Sequence, residues 1–346
     1  MQRHLPLLLG MLLVAAVLMA ARPSHAQEEE TGEKSPLVTG ETPLPFGFNY
    51  GEVDTTRSGA MGGALRAAGT GTTAPFLNPA TMALSRLYHI EALGQIVPEY
   101  GRQVYGGVIV DSITNKLAGG VAVTGGFLDS FSDTLTSVDR SWVDVRLALA
   151  YPIVDGFSVG LGGRYIRLSQ NGTGPLGPSK VTGGLKDPEG DGRLSIMNVP
   201  TFDAGIAIKA GDLVRIGIVG QNLTYPDNGI LPTTIGGGVG IAHEDFTIEV
   251  DGIADLNSYG KPTARLMGGA EYLLVDRVPL RAGYRFDQGA DSHQVSGGIG
   301  YMAPEFMVEA SVRRTVSGPE MTEIIFGAAY FLESSGLTGR GDEIAQ

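Results

Sequence analysis

Four arginines stand at alternate positions of segments that are otherwise apolar or glycine-rich. They are Arg146 in SWVDVRLALAY (141–151), Arg164 in 157–168, and Arg281 and Arg285 in VPLRAGYRFD (278–287). A guanidinium presents its donors in a planar fork that suits a carboxylate head group or another anion. Asp144, Asp203, Glu249, Asp251, Glu271 and Glu309 occupy comparable positions. The arginines are therefore candidate contacts for an anionic ligand, or members of a ladder of internal ion pairs, which buried charge requires.

Other reactive patterns are weaker. KDPEGDGRL (186–194) sets Asp187, Glu189 and Asp191 at alternate positions, yet it lacks the glutamate that closes an EF-hand loop and reads as a solvated surface loop. The Arg340-Gly341-Asp342 triplet lies in an acidic tail and reads as chance. With five histidines and no cysteine, the sequence offers no plausible zinc site and no thiol nucleophile. No serine–histidine pair stands at a recognisable spacing. The expectation is a non-enzyme without metal or cofactor, and a net charge of -12 argues against a nucleic-acid partner.

The elements that hold the charges alternate with period 2. In FTIEVDGIAD (246–255), Phe246, Ile248, Val250, Gly252 and Ala254 form one face, and Thr247, Glu249, Asp251, Ile253 and Asp255 the other. About 14 such segments follow one another: 88–97, 102–111, 117–128, 141–152, 157–168, 201–210, 213–223, 234–243, 246–256, 263–274, 278–287, 293–302, 305–314 and 322–332. A soluble sandwich would bury the apolar face and wet the charged one. An outer-membrane barrel turns the apolar face to lipid and the charged face inward. Three details favour the barrel. Tyrosines such as Tyr151, Tyr284, Tyr301 and Tyr330 stand near strand ends. Glycine pairs with charge on the opposite face, as in Gly283/Arg285. Tight joins alternate with longer connections at 129–140, 169–200 and 224–233. The expected fold is all-β: an antiparallel transmembrane β-barrel of about 14 strands, spanning 88–332, with the short turns periplasmic.

One stretch breaks the pattern. SGAMGGALRAAGTGTTAPFLNPATMAL (58–84) is rich in glycine and alanine, carries Arg66 as its one charge, and shows no strand alternation. It has neither the spacing nor the flanking elements of a phosphate loop. A barrel of about 14 strands has room inside for a compact segment, and small residues allow close packing against its wall. Residues 58–87 are therefore expected in the lumen as a plug.

Within that stretch, Ala60-Met61-Gly62-Gly63-Ala64 followed by Asn78-Pro79-Ala80 resembles the amino-terminal motif of the FadL-type hydrophobic-compound transporters and the related PorV/PorQ-like outer-membrane barrels. The motif covers roughly 30 residues; the strand count is a separate reading of the rest. The resemblance implies a 14-stranded barrel and a hatch whose Asn-Pro-Ala is tied to transport, making Gly62, Gly63, Asn78, Pro79 and Ala80 the hatch motif. The sequence departs from the pattern at GTGTTAPFL between the two halves and at Thr81, where a glycine is usual.

At the amino terminus, a basic start (Arg3, His4), an apolar run from Leu5 to Ala21 and Ser24-His25-Ala26 read as a cleaved signal peptide, 1–26. A polar segment, 27–57, reads as a periplasmic tail, and 333–346 as a second one. The expected location is the outer membrane of a Gram-negative-type cell, with outer-membrane lipid around the barrel. The expected function is diffusion of hydrophobic, fatty-acid-like molecules through a plugged lumen. The alternative is a PorV-like barrel that transports nothing and docks a secreted or surface protein.

Overall fold

The computed structural model describes residues 52–128, 139–171, 195–226, 231–258 and 262–332. The expected signal peptide, most of the amino-terminal tail, the Asp187–Asp191 acids, the Arg-Gly-Asp triplet and the 333–346 tail lie outside them. Strands β1 (Tyr88–Val97), β2 (Arg102–Asp111), β3 (Ala118–Leu128), β4 (Asp139–Val154), β5 (Phe157–Asn171), β6 (Ser195–Ala210) and β7 (Val214–Gln221) make the first half of a sheet. Strands β8 (Thr234–Ala242), β9 (Phe246–Asp255), β10 (Thr263–Leu274), β11 (Val278–Asp287), β12 (Ser292–Met302), β13 (Phe306–Ser317) and β14 (Thr322–Phe331) complete it. Each strand pairs antiparallel with its sequence neighbours, and β1 pairs with β14, His89 opposite Phe331, to close a 14-stranded barrel. Closure leaves no sheet edge to template aggregation.

The outward face is apolar along every strand whose alternation was read. Ile248 and Val250 of β9, Leu280 of β11, Val308 of β13 and Phe326 of β14 are exposed, while Glu249, Asp251, Arg281, Glu309 and Glu323 between them are buried. An exposed apolar belt on a closed barrel is the surface that lipid covers. Val250, 63% exposed near the middle of β9, tests it. Val250→Arg is expected to cost about 2–4 kcal/mol of folding stability in lipid vesicles, whereas an exposed site in water tolerates such a change within about 0.5 kcal/mol. Urea unfolding in vesicles distinguishes the two.

The connections 112–117, 155–156, 211–213, 243–245, 275–277 and 303–305 share one end of the barrel with the start of β1 and the end of β14; 98–101, 288–291 and 318–321 lie at the other, the end where the sequence separation between successive strands is greatest, here the long-loop end. Strands β4 and β6 run further than alternation suggested. The first part of β6, Ser195–Pro200, has no charge to mark a face, and it contains Pro200. Proline is tolerated there because β7 pairs only with Ala204–Ala210, so β5 is the sole strand neighbour of Ser195–Asp203.

The chain from Glu52 to Leu84 packs against the inward faces of the strands. Two short helices, α1 (Thr56–Ala60) and α2 (Ala74–Leu77), are joined by turns, and a 3-10 turn follows at Pro79–Leu84. The apolar core sits between this segment and the wall, with Phe76 and Met82 among Val104, Val108, Val110 and Trp142. Residues 52–57, expected in a periplasmic tail, belong to this interior segment instead. Their acids have counter-ions there: Arg313 Nη1 donates to Asp54 at 2.8 Å, and Arg285 Nη2 to Glu52 at 3.0 Å. In sequence a carboxylate in a polar stretch looks solvated; here the wall supplies its partners.

Candidate functional site

The interior segment crosses the wall where the wall has no side chains. At Gly283 of β11 an added Cβ would lie 2.3 Å from the Gly62 nitrogen, and at Gly160 of β5 it would lie 2.3 Å from the Ala80 nitrogen. Gly62 itself has φ +72°, a left-handed conformation that glycine adopts freely. The Met-Gly-Gly run is thus a backbone-to-backbone crossing.

Beyond it, two wall carboxylates hold the segment by its main chain. Glu249 accepts from the Ala67 and Ala68 nitrogens at 2.7 and 2.8 Å, and Asp251 from the Arg66 nitrogen at 3.1 Å. Arg66 Nη1 adds an ion pair to Asp251 at 3.2 Å. Further along, Asn78 fixes the turn. Its Nδ2 donates to the Arg66 carbonyl at 2.9 Å and to the Ile206 carbonyl of β6 at 3.1 Å, and its Oδ1 accepts from the Ala80 nitrogen at 3.1 Å. Pro79 opens the 3-10 turn where a missing N–H costs nothing, and Thr81 donates to the Asn78 carbonyl at 2.9 Å. The hatch-motif residues therefore converge on one interior structure tied to β5, β6, β9 and β11.

No protein-family model matches this chain, and no curated protein matches its sequence. Solved structures match its fold. The toluene transporter TbuX of Ralstonia pickettii aligns with TM-score 0.59 at 13% identity, over 82% of this chain and 99% of that one. The CymD monoaromatic hydrocarbon channel gives 0.59 at 17%, over 82% and 98%. A Pseudomonas aeruginosa FadL homologue gives 0.57 at 14%, over 81% and 98%. The fold is FadL-type.

All four candidate arginines point into this FadL-type barrel, each against a carboxylate. Arg164 donates through Nε and Nη2 to Asp144, at 3.0 and 2.6 Å to Oδ2, and Arg146 reaches the same oxygen at 3.2 Å. Arg146 also stacks over Phe76 of the interior segment, 5.1 Å from the ring centre. Arg281 bridges Glu271 and Glu309 at 2.6 and 2.5 Å, and Arg57 forks onto Glu271 from α1. Of the expected acids, Asp203 accepts instead from the Asn222 nitrogen at 2.7 Å. Among the described residues no group of His, Asp and Glu side chains is arranged to hold a metal.

Sequence reasoning passed over a second set at the long-loop end. Arg265 of β10 pairs with Asp255 at 2.9 Å, with Asp287 at 3.2 Å and with Glu52. Arg313 pairs with Asp54 and Glu323. The available signal was parity, since 265, 267, 269 and 271 share the inward face of β10. For Glu52, burial alone would raise the carboxyl, but the Arg265 and Arg285 guanidinium groups override it and hold it well below the usual carboxylate range. Glu52 therefore stays ionised through the physiological range.

Two cavities flank the segment and share no lining residue. One, of about 30 Å³, borders Glu52, Arg285, Arg146, Arg164, Phe76 and Leu77. The other, of about 270 Å³, opens among Thr72, His89, Glu91, Arg281, Met307 and Phe331 toward the short-turn end.

Proposed function

We propose that this chain is an outer-membrane barrel through which small hydrophobic molecules, fatty-acid-like in chemistry, diffuse past a hatch formed by the interior segment. The observation that carries the reading is the mode of attachment. The segment is held by apolar packing, hydrogen bonds and ion pairs, none of them covalent, to a wall that closes on itself through β1 and β14, so it can shift while the barrel stands. The FadL-type neighbours whose names specify toluene or monoaromatic hydrocarbons support a small hydrophobic ligand; the fatty-acid-like chemistry comes from the resemblance of the amino-terminal motif. The apolar outward belt supports the location and surrounding lipid.

Asn78 supplies the test. Asn78→Ala removes three hydrogen bonds, each worth about 1 kcal/mol net, so the closed position loses enough for uptake to rise about tenfold, the equivalent of ~1.4 kcal/mol. Laurate entry into vesicles reconstituted with the full chain reads it, with wild-type barrel and protein-free vesicles as references. Uptake equal to wild type defeats the hatch. The dense interior pairing and the two separate cavities favour a second reading, a closed docking barrel for a secreted or surface protein. That reading gains if wild-type vesicles admit laurate no faster than empty ones.

A further inference from the structure

We propose that the cavity at the short-turn end is a binding site for a small organic ammonium ion, a protonated amine carried on a single apolar ring. Glu91 takes the ammonium group, and the aromatic and thioether side of the lining takes the ring. The inference goes beyond the passage reading and stands without it, because a ligand of this kind can enter and leave by one end.

The charge around the cavity does not balance. Its lining brings the carboxylates of Glu91, Glu271 and Glu309 together with the guanidinium groups of Arg57 and Arg281. Both arginines are committed. Arg57 forks onto Glu271 at 2.7 and 3.1 Å, and Arg281 joins Glu271 to Glu309 at 2.6 and 2.5 Å. Glu91 is the third carboxylate, 2% exposed. Its Oε2 accepts from the Thr72 hydroxyl, which brings no charge. Its Oε1 accepts no hydrogen bond among the described residues. Glu244 and Asp245, on the connection from β8 to β9, add to the same lining with the same sign. A buried carboxylate oxygen is costly without a donor, and a cation that donates to it relieves the cost.

A second oxygen calls for the same chemistry. Thr56 Oγ1 of α1 is fully buried and also has no hydrogen-bond partner among the described residues. An added Cβ at Gly327 would lie 2.7 Å from Thr56 Oγ1 and 3.0 Å from Glu91 Oε1. The two oxygens therefore border one spot on β14 that carries no side chain. In register, Gly327 stands opposite Glu309 of β13, and small Ala329 opposite Glu91 of β1. An alkylammonium group offers three N–H donors and a positive charge, as a lysine does. A hydroxyl offers one donor and no charge.

The rest of the lining suits a ring. Phe331 lies tilted against His89, with 4.4 Å between ring centres, and the face of a phenyl ring attracts a cation. Met302 and Met307 add thioethers that adapt to an apolar body. The volume, about 270 Å³, falls just under the ~300 Å³ at which ligand pockets commonly begin, which limits the body to about one ring.

The test titrates benzylamine and benzyl alcohol calorimetrically into the full chain in mild detergent at neutral pH, where the amine is protonated. The two probes share a ring and differ in charge and donors. Benzylamine is expected to bind about tenfold tighter, the scale of one hydrogen bond to a charged group. Glu91→Gln keeps the size of the side chain and an acceptor for Thr72, and is expected to erase the difference by weakening benzylamine alone. Glu305→Gln removes a charge from the same end of the barrel outside the cavity lining and is expected to change neither affinity. Heat-dependent gel mobility confirms that each variant is folded. Should Glu91→Gln not fold, Gly327→Ala decides on the same contrast, since its methyl group occupies the spot between the two oxygens without altering any charge. Equal affinities of the two probes for the wild-type chain, or a benzylamine affinity that the deciding variant leaves unchanged, overturns the proposal.

Discussion

Gly283→Val is expected to unseat the interior segment while leaving the barrel wall standing. Its new Cβ would meet the Gly62 nitrogen and the Met61 carbonyl carbon, both at 2.3 Å, and neither is a side chain that can rotate away. The segment cannot retreat sideways either, because a Cβ at neighbouring Gly269 would lie 2.5 Å from Met61 Cβ. Overpacking typically costs about 1–3 kcal/mol, and each ~1.4 kcal/mol shifts the seated population tenfold. Valine is a strong strand former, so β11 itself gains. The readout is ion conductance in planar bilayers, expected to rise on the order of tenfold over wild type, with tryptic cleavage at Arg57 and Arg66 appearing in parallel. Gly163→Val, on the lipid face with nothing within 4 Å of its added Cβ, is the control and is expected to conduct as wild type does. Wild-type conductance in Gly283→Val would show that the segment does not close the barrel.

The second large effect is on stability. Asp144 faces two guanidinium groups at once and is 2% exposed. Asp144→Ala leaves Arg146 and Arg164 adjacent inside the wall, and breaking a buried pair from one side costs about 3–5 kcal/mol. Asp203 and the Asn222 side chain, which accepts from Arg164 Nη1 at 3.2 Å, relieve part of this. Asp144→Asn is expected to cost less, because the amide oxygen still accepts a hydrogen bond. Asp144→Leu combined with Arg164→Met is expected to recover stability relative to Asp144→Leu alone, since apolar groups of similar volume replace buried ion pairs at little cost. Urea midpoints in lipid vesicles rank the four. An unchanged midpoint in Asp144→Ala would mean that water, not protein, neutralises these arginines.

The barrel was readable because lipid and interior impose opposite chemistries on successive residues. In β9, Ile248 and Val250 could face only lipid and Glu249 and Asp251 only the interior, and the structure places them so. The reading faded where one face carries no charge, as in the first part of β6. Partners were harder to read than faces. Glu249 and Asp251 looked like counter-ions for arginine, yet Glu249 serves two backbone N–H groups of Ala67 and Ala68, and main-chain donors leave no mark in sequence. Glu52 is 213 positions from Arg265, and only the register of β10 against β11 brings Arg265 and Arg285 to one carboxylate. The glycines of the wall were visible as composition. That Gly160 and Gly283 are footprints of a chain pressed against them was not.

The crossing at Gly283 also bears on how the molecule is put together. Asp54 belongs to the part of the chain synthesised early, and its partner Arg313 comes 259 residues later. Contacts of such sequence separation form slowly, because a long loop has to close before they repay anything. Asp54 thus lacks its wall partner until β13 is in place, and the strand after it, β14, is also the one that meets β1. Seating of the segment and sealing of the seam therefore fall at the same late step. A barrel that zips shut first holds a lumen in which Arg285 still lacks the Glu52 carboxylate that the segment brings to it.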